Sequence, residues 1–172
     1  MFDKAYSFRG KHADMVDDFT KEFDNKKNKL FEYNYDVYTL APVIGFLYQR
    51  KADIDTSNSN TTKIFPETLL PRQDDFWFNY RMIMLLDREY EPDKEKRIEK
   101  AFRGIENEED EALYESYVRG GVEVLYEKLM DGASSPEEYI TKLYDFLEEF
   151  DERYNQTLSK EQVLELCRKA KA

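Results

Sequence analysis

The side chains that most often do chemistry in proteins are scarce in this sequence. Histidine occurs once, at His12, and cysteine once, at Cys167. A ferritin-like di-iron centre or an H-E-x-x-H zinc site needs more than one histidine, and no G-x-S-x-G elbow accompanies His12 as a serine nucleophile would require. We expect His12 to be a surface side chain near the start of the first helix, and Cys167 to be a small buried hydrophobe.

Carboxylates are abundant, so their distribution matters more than their number. Residues 106–152 hold 16 acidic side chains and only three basic ones. This block repels a phosphate backbone, and direct binding of nucleic acid through this half is not expected. Four carboxylates lie opposite the apolar stripe of one predicted helix, and we interpret them as a solvated face or as an acidic surface for a partner: Glu138, Asp145, Glu149 and Glu152.

No motif in the sequence indicates a metal or a cofactor. Asp53 and Asp55 begin a stretch similar to a calcium loop, but Asn58 stands where the loop uses glycine and Ile64 where it uses glutamate. A glycine-rich phosphate loop is also missing. We therefore expect no metal, no cofactor and no enzymatic activity.

Arg81 is the only charged residue in the apolar run 76–86. If it is buried, it needs a carboxylate or carbonyl partner, and Asp36, Asp74 or Asp87 would complete such an ion pair. The alternative is a ligand pocket in which the arginine acts with aromatic neighbours. The predicted binding residues are Tyr35, Tyr38, Trp77, Tyr80 and Arg81.

The elements that position these residues are predicted to be helices. Two segments, at about 35–51 and 73–88, are apolar around nearly their whole circumference, which favours a central position in the fold. Pro42 predicts either a kink in the first helix or a helix that begins there. Gly120 and Gly121, inside a third helical segment, indicate close packing of another backbone or a local break.

Amphipathic helices are expected to surround this central pair. One covers about 13–24, and a second starts at Pro92 and turns Ile98 and Phe102 inward. Asn107 caps a long helix that ends near Met130. The buried stripe of that helix is predicted to contain Tyr114, Val118, Val122, Leu125 and Leu129.

Two capping boxes mark the starts of the last helices. Ser135 and Glu138 form the first, and Ser159 and Gln162 form the second. The helix after the first box is predicted to bury one face made of Ile140, Leu143, Leu147, Phe150 and Tyr154.

These patterns predict an all-α fold, in which six or seven helices form a single compact domain over residues 1–172. Alternation typical of strands is nowhere sustained. Residues 1–11 are expected to be an irregular start, and residues 53–63 a mobile polar loop. The uncharged run 37–49 is too short to span a membrane, so no membrane contact is expected.

The predicted function is that of a non-enzymatic protein-interaction module, an adaptor or accessory subunit. Its acidic face (residues 106–152) favours a protein partner that is basic or binds DNA, and its aromatic-rich surface would add affinity. One alternative is an acidic mimic of DNA that acts in a DNA-processing assembly. Another is a small-ligand binder or enzyme with a pocket around Arg81, and homo-oligomerisation stays open. The single cysteine and the charged amino terminus favour the cytoplasm.

Overall fold

The computed structural model of the chain describes residues 2–103 and 107–154. These residues are mostly helical and include one small two-stranded sheet, so the all-α fold class is confirmed. Contacts divide the chain into two compact units, Met1–Gly132 and Ala133–Ala172. No helix in the described part of the chain is both long and apolar enough to cross a membrane.

The first unit contains two strands and most of the helices. In chain order they are β1 (Tyr6–Arg9), α1 (Lys11–Thr20), α2 (Asn34–Leu47), β2 (Thr61–Ile64), the single turn α3 (Pro66–Leu69), a 3₁₀ turn (Leu70–Arg72), α4 (Gln73–Leu86), α5 (Lys94–Phe102) and α6 (Glu108–Leu129). The second unit contains α7 (Pro136–Tyr154).

Helices α2 and α6 approach each other backbone to backbone, which only glycine permits at their contact. A Cβ atom on Gly121 would lie 1.7 Å from the carbonyl oxygen of Ala41, and one on Gly120 would lie 2.0 Å from that of Arg50. From the other side, a Cβ atom on Gly45 would lie 2.1 Å from a carbonyl oxygen of α6. The predicted close packing at the two glycines of α6 is confirmed, and it explains why α2 packs mainly on α6.

Helix α2 continues through Pro42, so the alternative of a helix that begins at this proline is wrong. Proline has no N–H to donate to the carbonyl of Tyr38, one turn earlier. Neighbouring polar bonds support this part of the helix. The Thr39 hydroxyl donates to the carbonyl of Tyr35 at 2.7 Å, and the Asn79 amide of α4 donates to the carbonyl of Thr39 at 2.8 Å.

Helix α4 buries only one face, although its sequence is apolar on nearly every side. Phe76 and Ile83 are fully buried, whereas 67% of Phe78 and 53% of Leu86 is exposed. Arg81 is exposed as well, so the burial that would have required an ion-pair partner does not occur. When every position of a helix is apolar, its periodicity does not indicate which face the neighbouring elements cover.

The expectation of an irregular first segment is wrong for Tyr6–Arg9, which form β1. This strand pairs antiparallel with β2, at the end of the predicted polar loop, and Phe8 lies opposite Thr62. Strands of four residues are too short for the sustained alternation that identifies a strand in a sequence. In the remaining part of the loop, Asn60 donates a hydrogen bond of 2.6 Å to the carboxylate of Asp14 on α1.

His12 is buried, which contradicts the expectation of a surface histidine. Helix α1 begins at Lys11, where the distant Asp55 accepts the first backbone N–H at 2.6 Å, and its first turn packs against α6. The Nε2 atom of His12 lies 3.1 Å from the Glu123 carboxylate, which also pairs with Lys11 at 2.8 Å. Burial lowers the pKa of His12 despite this acidic partner.

One prediction for α5 is wrong, whereas two predictions for α6 are confirmed. Phe102 is 61% exposed rather than turned inward, because Arg97 and Ala101 occupy the buried face of α5. The Asn107 cap is confirmed, since its side-chain oxygen accepts the N–H of Glu109 at 2.9 Å. The predicted stripe of α6 is confirmed too, because all of its members are buried: Tyr114, Val118, Val122, Leu125 and Leu129.

The start of α7 is the predicted capping box. The Glu138 N–H donates to the Ser135 hydroxyl at 3.3 Å, and the Glu138 carboxylate accepts the N–H of Ser134 at 2.6 Å. The predicted burial of the apolar stripe is wrong: Phe150 is half-buried, and the other four members are exposed, namely Ile140, Leu143, Leu147 and Tyr154. The second capping box and Cys167 lie outside the described residues.

Candidate functional site

An open groove of about 390 Å³ lies between α2 and α4, and Tyr35, one of the predicted binding residues, lines it. We call it the α2–α4 groove. Its lining residues come from α2, from α4 and from the 3₁₀ turn that precedes α4: Tyr35, Asp36, Thr39, Leu40, Val43, Arg72, Asp75 and Asn79.

The two helices that form the groove are joined by a hydrogen bond between them. Asn79 is 8% exposed, and its amide donates to the backbone carbonyl of Thr39 at 2.8 Å. Below this bond, the rings of Phe76 and Tyr38 pack edge to face, with their centroids 5.2 Å apart. Because a polar bond and an aromatic contact both link α2 to α4, the groove is expected to keep its shape when it is empty.

One end of the groove is aromatic and cationic. The Arg72 guanidinium lies 3.9 Å from the centroid of the Tyr35 ring, and it also donates to the carbonyl of Thr68 at 3.1 Å. Tyr33 stacks on Tyr35 with centroids 5.0 Å apart. Asp36 accepts the N–H of Tyr33 at 3.0 Å and thereby holds the first turn of α2. This end presents flat, positioned aromatic surface, which suits the recognition of an apolar or planar group.

The sides of the groove carry two apolar side chains on α2, Leu40 and Val43, and a carboxylate on α4, Asp75. Leu40 is 37% exposed and Val43 is half-buried, both on α2. On α4, Asp75 lines the groove and is exposed. Phe78, one helical turn after Asp75, does not line the groove but adds exposed apolar surface next to the lining residue Asn79. A partner that fits these features combines apolar side chains with a cation that meets Asp75.

The predicted binding residues do not meet in one place. Tyr35 lines the groove, but Tyr38 and Tyr80 are 2% and 5% exposed and belong to the core. The ring of Tyr38 lies 4.4 Å from that of Tyr6, and the ring of Tyr80 lies 5.8 Å from that of Tyr114. The high density of aromatic residues that suggested a binding site is therefore explained by the packing of these rings in the core.

Trp77 and Arg81 lie on another face of α4. The indole contacts the buried ring of Phe2 edge-on, with centroids 5.1 Å apart. The Arg81 guanidinium lies 5.8 Å from the Trp77 centroid, at the outer limit of a cation–π contact. This pair places a cation over an aromatic ring at the surface.

The predicted acidic surface on α7 contains residues with different roles. Glu138 is used in the capping box, and the hydrogen bond from the Ser134 backbone lowers its pKa. Asp145 and Glu152 are exposed, and Glu149 is half-buried. These three carboxylates follow each other at spacings of four and three residues, so they lie along one side of the helix.

Two other carboxylates, Asp87 and Asp110, are buried at 3% exposure each, and both have internal partners. Asp87 accepts a hydrogen bond of 2.7 Å from the Tyr117 hydroxyl, and Asp110 pairs with Lys100 at 2.6 Å and accepts a hydrogen bond from the Tyr90 hydroxyl. Burial, together with these carboxylates, raises the pKa values of both tyrosines. Such satisfied groups are typical of structural networks, and they leave little capacity for a reacting group.

Neither a metal site nor a similarity to a known protein assigns a function to these residues. Within residues 2–103 and 107–154, no three histidine, cysteine, aspartate or glutamate side chains are grouped so that they could hold a metal ion. Comparison of the chain with family models, with curated proteins and with solved structures finds no match.

The groove residues that sequence reasoning missed are Thr39, Leu40, Val43, Arg72, Asp75 and Asn79. One signal for them was present: Asn79 is a lone amide within an apolar helix, and a buried amide needs a partner on a neighbouring element. The others come together only because α2 and α4 cross at this point.

Proposed function

We propose that the chain is a non-catalytic protein-interaction module, an adaptor or accessory subunit, that holds an apolar segment of its partner in the α2–α4 groove. The observation that carries this proposal is an open groove that exposes Leu40 and whose walls are joined by the Asn79 bond, with the exposed Phe78 next to Asn79 on α4. Apolar side chains gathered at a concave surface are typical of binding sites.

An amphipathic helix with a basic residue at one end is the partner segment that we propose. Helical grooves commonly accept the apolar face of a helix, whose anchors recur at spacings of three and four residues. Asp74 and Asp75 are both exposed in the first turn of α4, and a lysine or arginine of the partner would meet them. The 16 acidic side chains of residues 106–152, in a chain of net charge −11, would accelerate the approach of such a basic partner.

Introducing a charge next to the groove tests this proposal against a matched surface change. The Phe78→Asp and Phe102→Asp variants each place a carboxylate on an exposed phenylalanine, at 67% and 61% exposure. Both are expected to change the free energy of unfolding by less than about 0.5 kcal/mol, since neither residue is in the core. Wild type and both variants are used as baits in cells that express the chain naturally. Each recovered partner is then purified, and its affinity for the three baits is measured by titration.

We expect a partner that binds wild type and Phe102→Asp alike but binds Phe78→Asp at least about thirtyfold more weakly, as an aromatic hot spot implies. Its affinity should also fall as salt is added. A partner whose affinity is the same for all three baits, or is lost only with Phe102→Asp, would overturn the assignment to the groove. So would a wild-type chain that occupies its own groove by self-association in sedimentation experiments.

A further inference from the structure

Strand β1 has a second edge that β2 does not cover. The Gly10 N–H donates to the Asn60 carbonyl at 3.0 Å, which continues the antiparallel register one residue beyond the strands. In antiparallel pairs, residues that exchange backbone bonds alternate with residues whose N–H and C=O point away from the partner strand. Two and four residues before Gly10, the backbone N–H and C=O groups of Phe8 and Tyr6 therefore point toward β2. The backbone groups of Ser7 and Arg9 point toward the other edge of β1.

These outward groups have no partner elsewhere in the described part of the chain. No backbone or side-chain bond from outside the sheet reaches the main chain of Ser7 or Arg9. Two free donor and acceptor pairs, two residues apart along a strand, match the spacing with which an extended peptide presents its own backbone groups.

The uncovered edge borders a cleft of about 290 Å³, which we call the β1 cleft. Residues 5–9 line it, together with Ile54, Asp55 and the α6 residues Glu115 and Arg119. The Asp55 carboxylate already has a partner within the chain, since it accepts the N–H of Lys11 at 2.6 Å. Arg119 is held in place, since it donates to the carbonyl of Ala52 at 2.9 Å and lies 3.4 Å from the Glu115 carboxylate. The cleft therefore has a fixed far wall and an unsatisfied backbone edge.

The outward face of the small sheet is basic. Directly opposite residues of an antiparallel pair share a face, so Ser7 and Lys63 lie on the same side as Arg9 and Thr61. Arg9 and Lys63 are exposed, and no acidic residue belongs to this face of the sheet. Phe8 points the other way and is 1% exposed. An incoming strand would place the side chains opposite Ser7 and Arg9 on the basic face.

From these observations we infer that the β1 cleft binds an extended, acidic peptide segment, which adds a strand to the free edge of β1. The peptide exchanges backbone hydrogen bonds with Ser7 and Arg9, and its acidic side chains, at every second residue, lie beside Arg9. Lys63, on the far side of β1, adds positive charge to the same face of the sheet. This site is separate from the α2–α4 groove, and it selects the opposite charge.

The test uses a capped octapeptide that alternates glutamate with valine, and the intact chain. One control peptide has lysine in place of glutamate. A second is N-methylated at the glutamates, which removes the N–H groups that would face β1, and a third is N-methylated at the valines, whose N–H groups would point away. Fluorescence anisotropy gives the affinity, and the amide NMR signals of Ser7 and Arg9 locate the peptide.

The protein variants separate backbone pairing from charge. Ser7→Pro removes one outward N–H, which an edge strand tolerates, whereas Ser7→Ala retains it. Arg9→Glu reverses the charge beside the cleft, and Arg81→Glu makes the same change of net charge at an exposed arginine of α4. Circular dichroism establishes that each variant is folded.

We expect saturable binding of the glutamate peptide below about 1 mM, with shifts at the Ser7 and Arg9 amides. Binding should weaken about tenfold with each of three changes: Ser7→Pro, Arg9→Glu and methylation at the glutamates. It should be unchanged with the four controls: Ser7→Ala, Arg81→Glu, Phe78→Asp and methylation at the valines. The inference is overturned if the glutamate peptide does not bind, if the lysine peptide binds as well, or if methylation at the two sets of residues has equal effects. It is also overturned if wild type dimerises through β1, a state that Ser7→Pro would abolish. If Ser7→Pro does not fold, the two methylated peptides decide the question.

Discussion

Replacing Gly121 by alanine should strongly destabilise the first unit, although alanine is the better helix former. The added Cβ would lie 1.7 Å from the carbonyl oxygen of Ala41, whereas an ordinary contact at this position starts at 3.4 Å. The obstructing atom belongs to the backbone of α2, so no side chain can rotate away. Helices α2 and α6 would have to separate by more than an ångström at their closest contact.

The magnitude follows from two opposing effects. Overpacking of a tight contact costs about 1–3 kcal/mol or more, and a rigid backbone neighbour favours the upper end of that range. Better helix propensity returns about 1 kcal/mol. We therefore expect a net loss of about 2 kcal/mol or more in the free energy of unfolding, or a decrease of roughly 4–8 °C in the melting temperature for a chain of this size.

Urea unfolding monitored by circular dichroism at 222 nm measures this loss, with Ala112→Gly as the control. Ala112 is exposed on the same helix, so its replacement isolates the propensity effect, which should cost about 1 kcal/mol. If Gly121→Ala were as stable as wild type, or more stable, the backbone contact between α2 and α6 would not be as close as the structure has it.

Three further predictions concern buried or capping polar groups. First, burial lowers the pKa of His12 in the folded protein, so the unfolded chain takes up the proton first and the free energy of unfolding should fall as the pH drops below about 6.5. Urea unfolding at several pH values should show a steeper loss for wild type than for His12→Gln, and parallel curves would contradict this. Second, Tyr117→Phe removes a 2.7 Å hydrogen bond from the buried Asp87 carboxylate and should cost about 1–3 kcal/mol in urea unfolding; an unchanged midpoint would show that the bond is not needed. Third, Ser135→Ala should destabilise the start of α7 by about 0.5–2 kcal/mol, seen as faster hydrogen exchange of its first turns, whereas Ser135→Thr should retain protection. Equal exchange in both variants would exclude a role for the cap.

Local rules predicted the starts of helices well. Asn107 and Ser135 were correctly identified as caps, because a cap depends on residues within one turn of each other. The buried stripe of α6 was also predictable, since its apolar residues recur with the helical period and its polar residues separate them. The same reasoning failed for Phe78, because apolar residues fill most of the circumference of α4. Only the charged residues one turn before and one turn after it, Asp74, Asp75 and Arg81, mark the exposed side of the helix.

The candidate sites were less predictable than the fold. Tyr35 was identified as a binding residue from its aromatic surroundings, and it does line the α2–α4 groove. Arg72 and Asp75, which complete the groove, carry no signal in the sequence that relates them to α2. The β1 cleft was missed entirely, because four-residue strands show no sustained alternation and the partners of β1 are distant along the chain.

Amino-acid order alone was enough to establish the helical class and the caps of α6 and α7, because each depends on neighbours within a few turns. It pointed to Gly120 and Gly121 as special positions, but only the tertiary structure showed that α2 is the backbone they meet. Tertiary packing established which apolar faces stay exposed, that His12 is buried, and that β1 keeps a free edge. Exposure depends on which elements cover a residue, and that is a property of contacts between segments far apart in the chain. The same contacts create the groove and the cleft through which we propose that this protein binds its partners.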